Sequence, residues 1–225
     1  MSRDDLISIN AKIVKTVTEQ AIAASPDAII IVVANPLDVM TYQAYKSAGI
    51  DSKKVMGMAG ILDTARYRAF LAEELDCSPK DFNALLLGGH GDTMVPLPRY
   101  TTVNGIPITD LIDSDKLDAI VARTKKGGGE IVKLLGTSAW YAPGYAAAQM
   151  VEAILLDQNR IFPVCSWLTG EYGIEDLYLG VPVKLGKGGI KEIIELKLDK
   201  DEMKMMHDSA AAVRGVKEAL EAMDL

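Results

Sequence analysis

Ala28-Ile29-Ile30-Ile31-Val32-Val33-Ala34 is the longest apolar run in the chain. It is far too short to cross a bilayer and too rich in β-branched residues to favour a helix, so it reads as a buried strand. Upstream, Ser2-Arg3-Asp4-Asp5 has the form of a capping box, and Leu6, Ile9, Ile13, Val17 and Ala21 follow at helical spacing. That spacing predicts a helix of about 22 residues from the start of the chain. Downstream come Asn35-Pro36, a helix ending at Gly49, and a short second strand at Lys54-Val55-Met56-Gly57-Met58. Helix alternating with buried strand implies an α/β fold with a parallel sheet, whose ligands gather at the carboxyl ends of the strands. Asn35 and Gly60 lie just past two such ends.

Beyond Ser78-Pro79 the pattern changes. Residues 82–87 read as a buried strand, and Asn104-Gly105 between apolar runs reads as a hairpin turn. A helical region begins at Ser114 and is expected to break at Gly127-Gly128-Gly129. Another covers roughly residues 143–157, with Ala147, Met150, Val151 and Ile154 on one face that could serve as core or as subunit interface. Strands over about 161–168, 177–184 and 190–198 precede a closing charged helix. The expected whole is the C-terminal part of a Rossmann-type parallel sheet, followed by an α+β domain with an antiparallel sheet. The domain boundary is placed at residues 63 and 64, dividing 1–63 from 64–225.

Composition narrows the class of function. At 225 residues, 49% hydrophobic and 24% charged, the chain is long enough to bury a substantial core. A net charge of −7, with Lys and Arg scattered, argues against nucleic acid or an anionic membrane as the main partner. Cys77 and Cys165 have no CxxC spacing and read as reduced thiols of a cytoplasmic protein.

Only two histidines are present. His207 sits in the charged closing helix and reads as a solvated side chain. His90 sits in Gly88-Gly89-His90-Gly91-Asp92, a glycine-flanked loop directly after a buried strand, where an imidazole can meet a substrate. Taken alone, that loop fits a turn histidine as well as a catalytic one. Ile61-Leu62-Asp63-Thr64-Ala65-Arg66 opens a helix, which puts Asp63 and Arg66 on one face of its first turn, either as a surface ion pair or as parts of a site. Arg66 and Arg3 both stand near helix starts, where a cation opposes the macrodipole, and each therefore suggests an anion to meet.

In this order the pieces resemble the lactate/malate dehydrogenase family, over the length of the chain. The carriers are Met-Ser-Arg-Asp-Asp-Leu at 1–6, Asn10, Val33-Ala34-Asn35-Pro36-Leu37-Asp38, Leu62-Asp63-Thr64-Ala65-Arg66 and Gly88-Gly89-His90-Gly91-Asp92. The resemblance implies that His90 is the base and acid, and that Asp63 orients it. Arg66, Arg3 and Asn35 would bind the substrate, and Asn10, Val33, Ala34 and Asn35 would contact the cofactor, NAD, with no metal. The chemistry suits these types: an imidazole poised near neutrality takes a hydroxyl proton, a carboxylate sets its tautomer, and a guanidinium fork grips a carboxylate. No side chain carries hydride, so that part falls to a cofactor.

Within the family, residues 1–6 and Gly136-Thr137-Ser138-Ala139-Trp140-Tyr141-Ala142-Pro143 are most similar to the lactate-dehydrogenase-like malate dehydrogenases, a small Ala139 leaving room for a second carboxylate. Malate and oxaloacetate are then the implied substrates, with L-lactate as the alternative and a homodimer or homotetramer as the implied assembly, for which the first helix could also serve as an interface. A metal-dependent glycosidase of related fold would need a Cys/His metal pair, and neither cysteine is suitably spaced from His90.

One departure is large. The family's Gly-x-Gly-x-x-Gly turn, its leading strand and its ribose-binding acidic residue do not occur in this sequence. The expectation is a truncated chain, inactive or impaired by itself, with a non-catalytic remnant as the competing reading. The residues that would choose malate over lactate, and NAD over NADP, would belong to the part preceding Arg3.

Overall fold

A computed structural model describes residues 3–223, with side chains from Ile7 onward; the Ser2 cap and the Arg3 side chain lie outside the described residues. The first half alternates as expected. Helix α1 (Arg3–Ala24) leads to strand β1 (Ile30–Val32), then α2 (Leu37–Ala48), β2 (Val55–Gly57) and α3 (Gly60–Leu75). Gly49 closes α2 in the left-handed conformation, its N–H returning to the Tyr45 carbonyl, and Asp76 does the same for α3. Strands β1 and β2 are parallel, pairing Ile30 with Val55 and Val32 with Gly57.

The second half supplies β3 (Phe82–Asn83), β4 (Leu86–Gly88), β5 (Met94–Pro96), β6 (Thr102–Val103) and β7 (Ile106–Pro107). After them come α4 (Ser114–Leu135), α5 (Tyr141–Leu155), β8 (Arg160–Thr169), β9 (Glu175–Gly186), β10 (Gly189–Ile193) and α6 (Lys200–Glu221). A seven-stranded sheet runs β1-β2-β8-β9-β4-β5, with β10 on β9. The parallel pair joins the antiparallel strands where Gly57 meets Cys165. Helices α2 and α6 pack on β9, α3 packs on β8 and α5 on β9, and the main core runs from Met40 and Met56 through Met150 to Val181 and Met206. A smaller core, with Tyr67, Leu71, Phe82 and Ile108, lies beneath α3 and α4.

Four expectations need correction. Residues 82–87 are two strands in two sheets: Phe82 and Asn83 pair with β6, while Leu86–Gly88 pair with β5 and touch β9. Phe82 serves the smaller core and Leu87 the larger, and the Leu86 N–H goes to the Thr64 hydroxyl at 3.2 Å, so the backbone must turn between them. Helix α4 does not break at its three glycines. Each costs about 1 kcal/mol in helix propensity, and burial of Leu117, Ile120 and Thr124 outweighs that. The 28–34 run is only partly a buried strand: β1 spans Ile30–Val32, of which Val32 alone is buried, and Val33 is 46% exposed. On α5, where core and interface were both open, Met150 and Ile154 are buried core, while Ala147 is partly buried and Val151 is exposed. The last strand stops at Ile193, well short of residue 198.

The Asn104-Gly105 hairpin forms as read, with φ of 48° and 89°. His207 is exposed on α6. Among the described residues no helix is long and apolar enough to cross a membrane, and no group of three or more His, Cys, Asp or Glu is placed to hold a metal ion.

Gly180 of β9 faces Gly88 of β4 so closely that a Cβ there would collide with the Gly88 carbonyl oxygen, which is backbone and cannot step aside. Gly180→Ala is expected to lower unfolding free energy by about 2 kcal/mol or more in a urea titration, the range of overpacked cores. A change under about 0.5 kcal/mol, the size of an ordinary surface substitution, would show that the strand pair is looser than this packing requires.

Candidate active site

The carboxyl end of β1 and the N-terminus of α3 lie side by side because the Met58 N–H bonds the Val32 carbonyl at 2.9 Å. Asp63, in the first turn of α3, is only 2% exposed. Both of its oxygens are engaged. Oδ2 lies 2.8 Å from His90 Nδ1, and Oδ1 lies 3.4 Å from Arg66 Nη1. A carboxylate can only accept, so the imidazole nitrogen facing it carries the proton and Nε2 is left free as base.

The histidine arrives on a loop shaped by glycine. Gly88 and Gly91 adopt φ of 78° and 94°, a region side chains rarely enter. The loop backbone is tied from two other helices: the Gly89 N–H donates to Ser209 Oγ of α6 at 2.8 Å, and the His90 N–H to Asp38 Oδ2 of α2 at 3.0 Å.

Arg66 reaches its place through the glycines of α4. A Cβ on Gly127 would stand 3.3 Å from Arg66 Cδ, and one on Gly128 would stand 3.7 Å from Nη1. The glycine run is thus the floor of a groove for the guanidinium. Arg66 Nε is buried and without a hydrogen-bond partner among the described residues.

Two cavities flank His90. The larger, about 620 Å³, lies toward Asp38 and Val213 of α6 and has no arginine or lysine in its wall. The smaller, about 320 Å³, brings together Asn35, Arg66, His90, Gly128, Ser138 and Ala139. A carboxylate ligand needs the guanidinium, so the smaller cavity is the candidate site, and its size suits a small ligand.

Of the expected site residues, His90, Asp63, Arg66 and Asn35 therefore converge. Val33, 46% exposed, and the half-buried Ala34 form an open rim beside them. Asn10 comes to the same place, its amide donating to the Asn35 carbonyl at 2.6 Å. These residues fit the nicotinamide end of a dinucleotide: an apolar rim at a strand's carboxyl end, bordered by amide groups. Arg3 opens α1, and its side chain lies outside the described residues. Asp38, Ser209, Gly127 and Gly128 escaped the sequence reading. The only signals were Asp38 inside a quoted motif and a glycine run too regular to be a linker.

Burial pulls the His90 pKa down, the hydrogen bond and charge of Asp63 pull it up, Asp38 adds to the rise and Arg66 opposes it; the net result lies above the usual 6.5. A base with a raised folded-state pKa stabilises the fold fully below its unfolded value. That contribution fades as pH climbs through the folded value. Unfolding free energy from His90 should therefore decline from about pH 6.5 upward, and Asp63→Asn should lower the imidazole titration followed by NMR while flattening this decline. An unchanged His90 midpoint in Asp63→Asn would refute the pairing.

Comparison with known proteins follows the same division. Residues 1–57 match the family described as lactate/malate dehydrogenase, NAD binding domain, and residues 61–223 match the lactate/malate dehydrogenase alpha/beta C-terminal domain. The malate dehydrogenase of Cytophaga hutchinsonii is 64% identical over 223 residues, which are 99% of this chain and 72% of that protein. The solved structure of Salinibacter ruber malate dehydrogenase superposes with a TM-score of 0.96 at 60% identity, over 98% of this chain and 72% of that one. Eimeria maxima lactate dehydrogenase, solved with NADH and oxamate, gives 0.93 at 42% identity, over 99% and 71%. With its histidine, carboxylate and guanidinium assembled where an NAD-binding segment meets an α/β C-terminal domain, the chain belongs to the lactate/malate dehydrogenase family.

Proposed function

We propose that the site is that of an NAD-dependent malate dehydrogenase, interconverting malate and oxaloacetate. The observation that carries this is the joining of His90 and Arg66, which line one cavity, through the buried carboxylate of Asp63 behind them. Ala139 in the wall and the malate dehydrogenases among close relatives support malate over lactate.

In this reading His90 Nε2 takes the substrate hydroxyl proton, and the imidazolium so formed is held by Asp63. In reverse it returns the proton to the carbonyl oxygen. Arg66 accepts the substrate carboxylate through parallel N–H bonds, its unpartnered Nε being one available donor. Asn35 orients the substrate, and the family resemblance alone assigns Arg3 to it as well. When bound, NAD supplies the hydride acceptor. Asn10, Val33, Ala34 and Asn35 would hold its nicotinamide end. Family matches ending at 57 and beginning at 61 support placing the domain boundary close to residue 63.

Both cysteines are free, in keeping with a cytoplasmic protein, and the −7 charge disfavours nucleic acid and membrane partners. We also infer a homodimer or homotetramer built on the apolar surface where α4 and α5 meet. Leu134 is 76% exposed there and Tyr141 89%, with Trp140 and Tyr145 beside them. Sedimentation should give a mass of at least two chains, and Leu134→Glu should shift it toward one. A single-chain mass at micromolar concentration would refute this.

Oxidation of NADH with oxaloacetate, measured on this chain joined to the glycine-turn segment that its sequence lacks, tests the catalytic reading. His90→Asn is expected to cost about 100- to 10,000-fold in kcat, and Arg66→Lys roughly 10- to 100-fold in kcat/KM. Because reduction needs the protonated imidazole, kcat/KM for oxaloacetate should fall as pH rises through the His90 value above 6.5. A preference for pyruvate would make the enzyme a lactate dehydrogenase. A folded chain without turnover would leave the non-catalytic reading.

A further inference from the structure

Asp38 is a buried acid, 6% exposed, and the chemistry above does not use it. Its Oδ2 accepts the His90 backbone N–H at 3.0 Å, and its Oδ1 accepts the Cys165 thiol at 3.3 Å. Burial, with the Asp38 charge beside it, holds that thiol well above its ordinary pKa, so it stays a donor. Two donors on two oxygens suit an ionised carboxylate, which accepts at both, whereas a protonated acid would have to turn one oxygen into a donor toward the thiol sulfur, a weak acceptor. Burial leaves the Asp38 pKa above the usual carboxylate range, and the His90 N–H is the largest of the influences that oppose the rise. A buried acid maintained against desolvation calls for an explanation that packing alone does not supply. Its position suggests one: the loop it grips is flanked by glycines and has no stiffness of its own.

We propose that Asp38 is a positioning residue for His90, fixing the histidine's backbone through one carboxylate oxygen and setting a second buried negative charge near its imidazole. Asp63 governs the ring and Asp38 governs the chain that carries it. The titratable and charged groups facing the imidazole are Asp63 and Arg66 from α3 and Asp38 from α2. Cys165 of β8 faces the far oxygen of Asp38, and Asp92 lies on the loop itself, beside the cavity shared by His90 and Asp38. Ser209 of α6 ties the same loop through Gly89 but carries no charge.

The significance of this clamp rests on His90 being the base, but its test does not depend on turnover. With only His90 and the exposed His207 present, ring-carbon NMR resolves two titrations, and His207 serves as internal reference. Asp38→Asn should lower the His90 midpoint by about 0.5 to 1 pH unit, while Ser209→Ala, which loosens the loop without removing charge, should move it by less than about 0.2. A folded Asp38→Asn with the wild-type midpoint overturns the proposal. So does an equal fall in both variants, because loop loosening would then explain the whole effect. Should Asp38→Asn fail to fold, the wild-type amide carries the test. A slowly exchanging His90 N–H whose resonance moves with a carboxylate titration supports the clamp, and exchange at open-loop rates overturns it.

Discussion

A single carboxylate, Asp63, organises the chemistry of this molecule. Its two oxygens divide between an imidazole and a guanidinium, at 2.8 Å and 3.4 Å. A buried anion is tolerable only with such partners, since desolvation would otherwise push it toward the neutral acid. The reverse dependence is as strict. His90 gains a defined tautomer and a raised affinity for its proton from the same carboxylate that helps orient Arg66. Base and anchor therefore keep a fixed relation to each other, because both refer to one side chain in the first turn of α3.

Much of the surrounding architecture serves to deliver groups to that point. The β1–β2 pair brings Val33, Ala34 and Asn35 to the sheet's carboxyl end, and Met58 locks that end to the start of α3. The close Gly88–Gly180 approach sets the strand preceding the histidine loop. Glycines in α4, which weaken a helix locally, admit the arginine stem. Local stability is given up where room is needed, and tertiary packing makes it good.

Much of the fold was legible beforehand. The spacing of α1, the Gly49 stop and the Asn104-Gly105 turn report short-range constraints, and all of them stand in the structure, while the apolar run at 28–34 yields a strand only at Ile30–Val32. Errors arose where long-range packing overrode local preference. Residues 82–87 look like one strand until the demands of two separate cores divide them. The glycine run looks like a break until Leu117 and Ile120 are seen to hold its helix against α3. The α5 stripe was open to either reading, core or interface, because an apolar stripe does not say what covers it; the structure buries Met150 and Ile154 and leaves Val151 exposed.

By itself the sequence determined which chemistry was available: one loop imidazole, a carboxylate and guanidinium three residues apart, and no phosphate-binding glycine turn among the 225 residues. It also determined the helices and turns that depend on neighbours a few positions away. Only the tertiary structure decided that Asp63 faces both His90 and Arg66, that Asp38 reaches the His90 backbone across 52 positions, and that Ser209 reaches Gly89 across 120. Hydrogen bonds and burial act over a few ångströms in space whatever the separation along the chain, so periodicity and spacing carry no record of them.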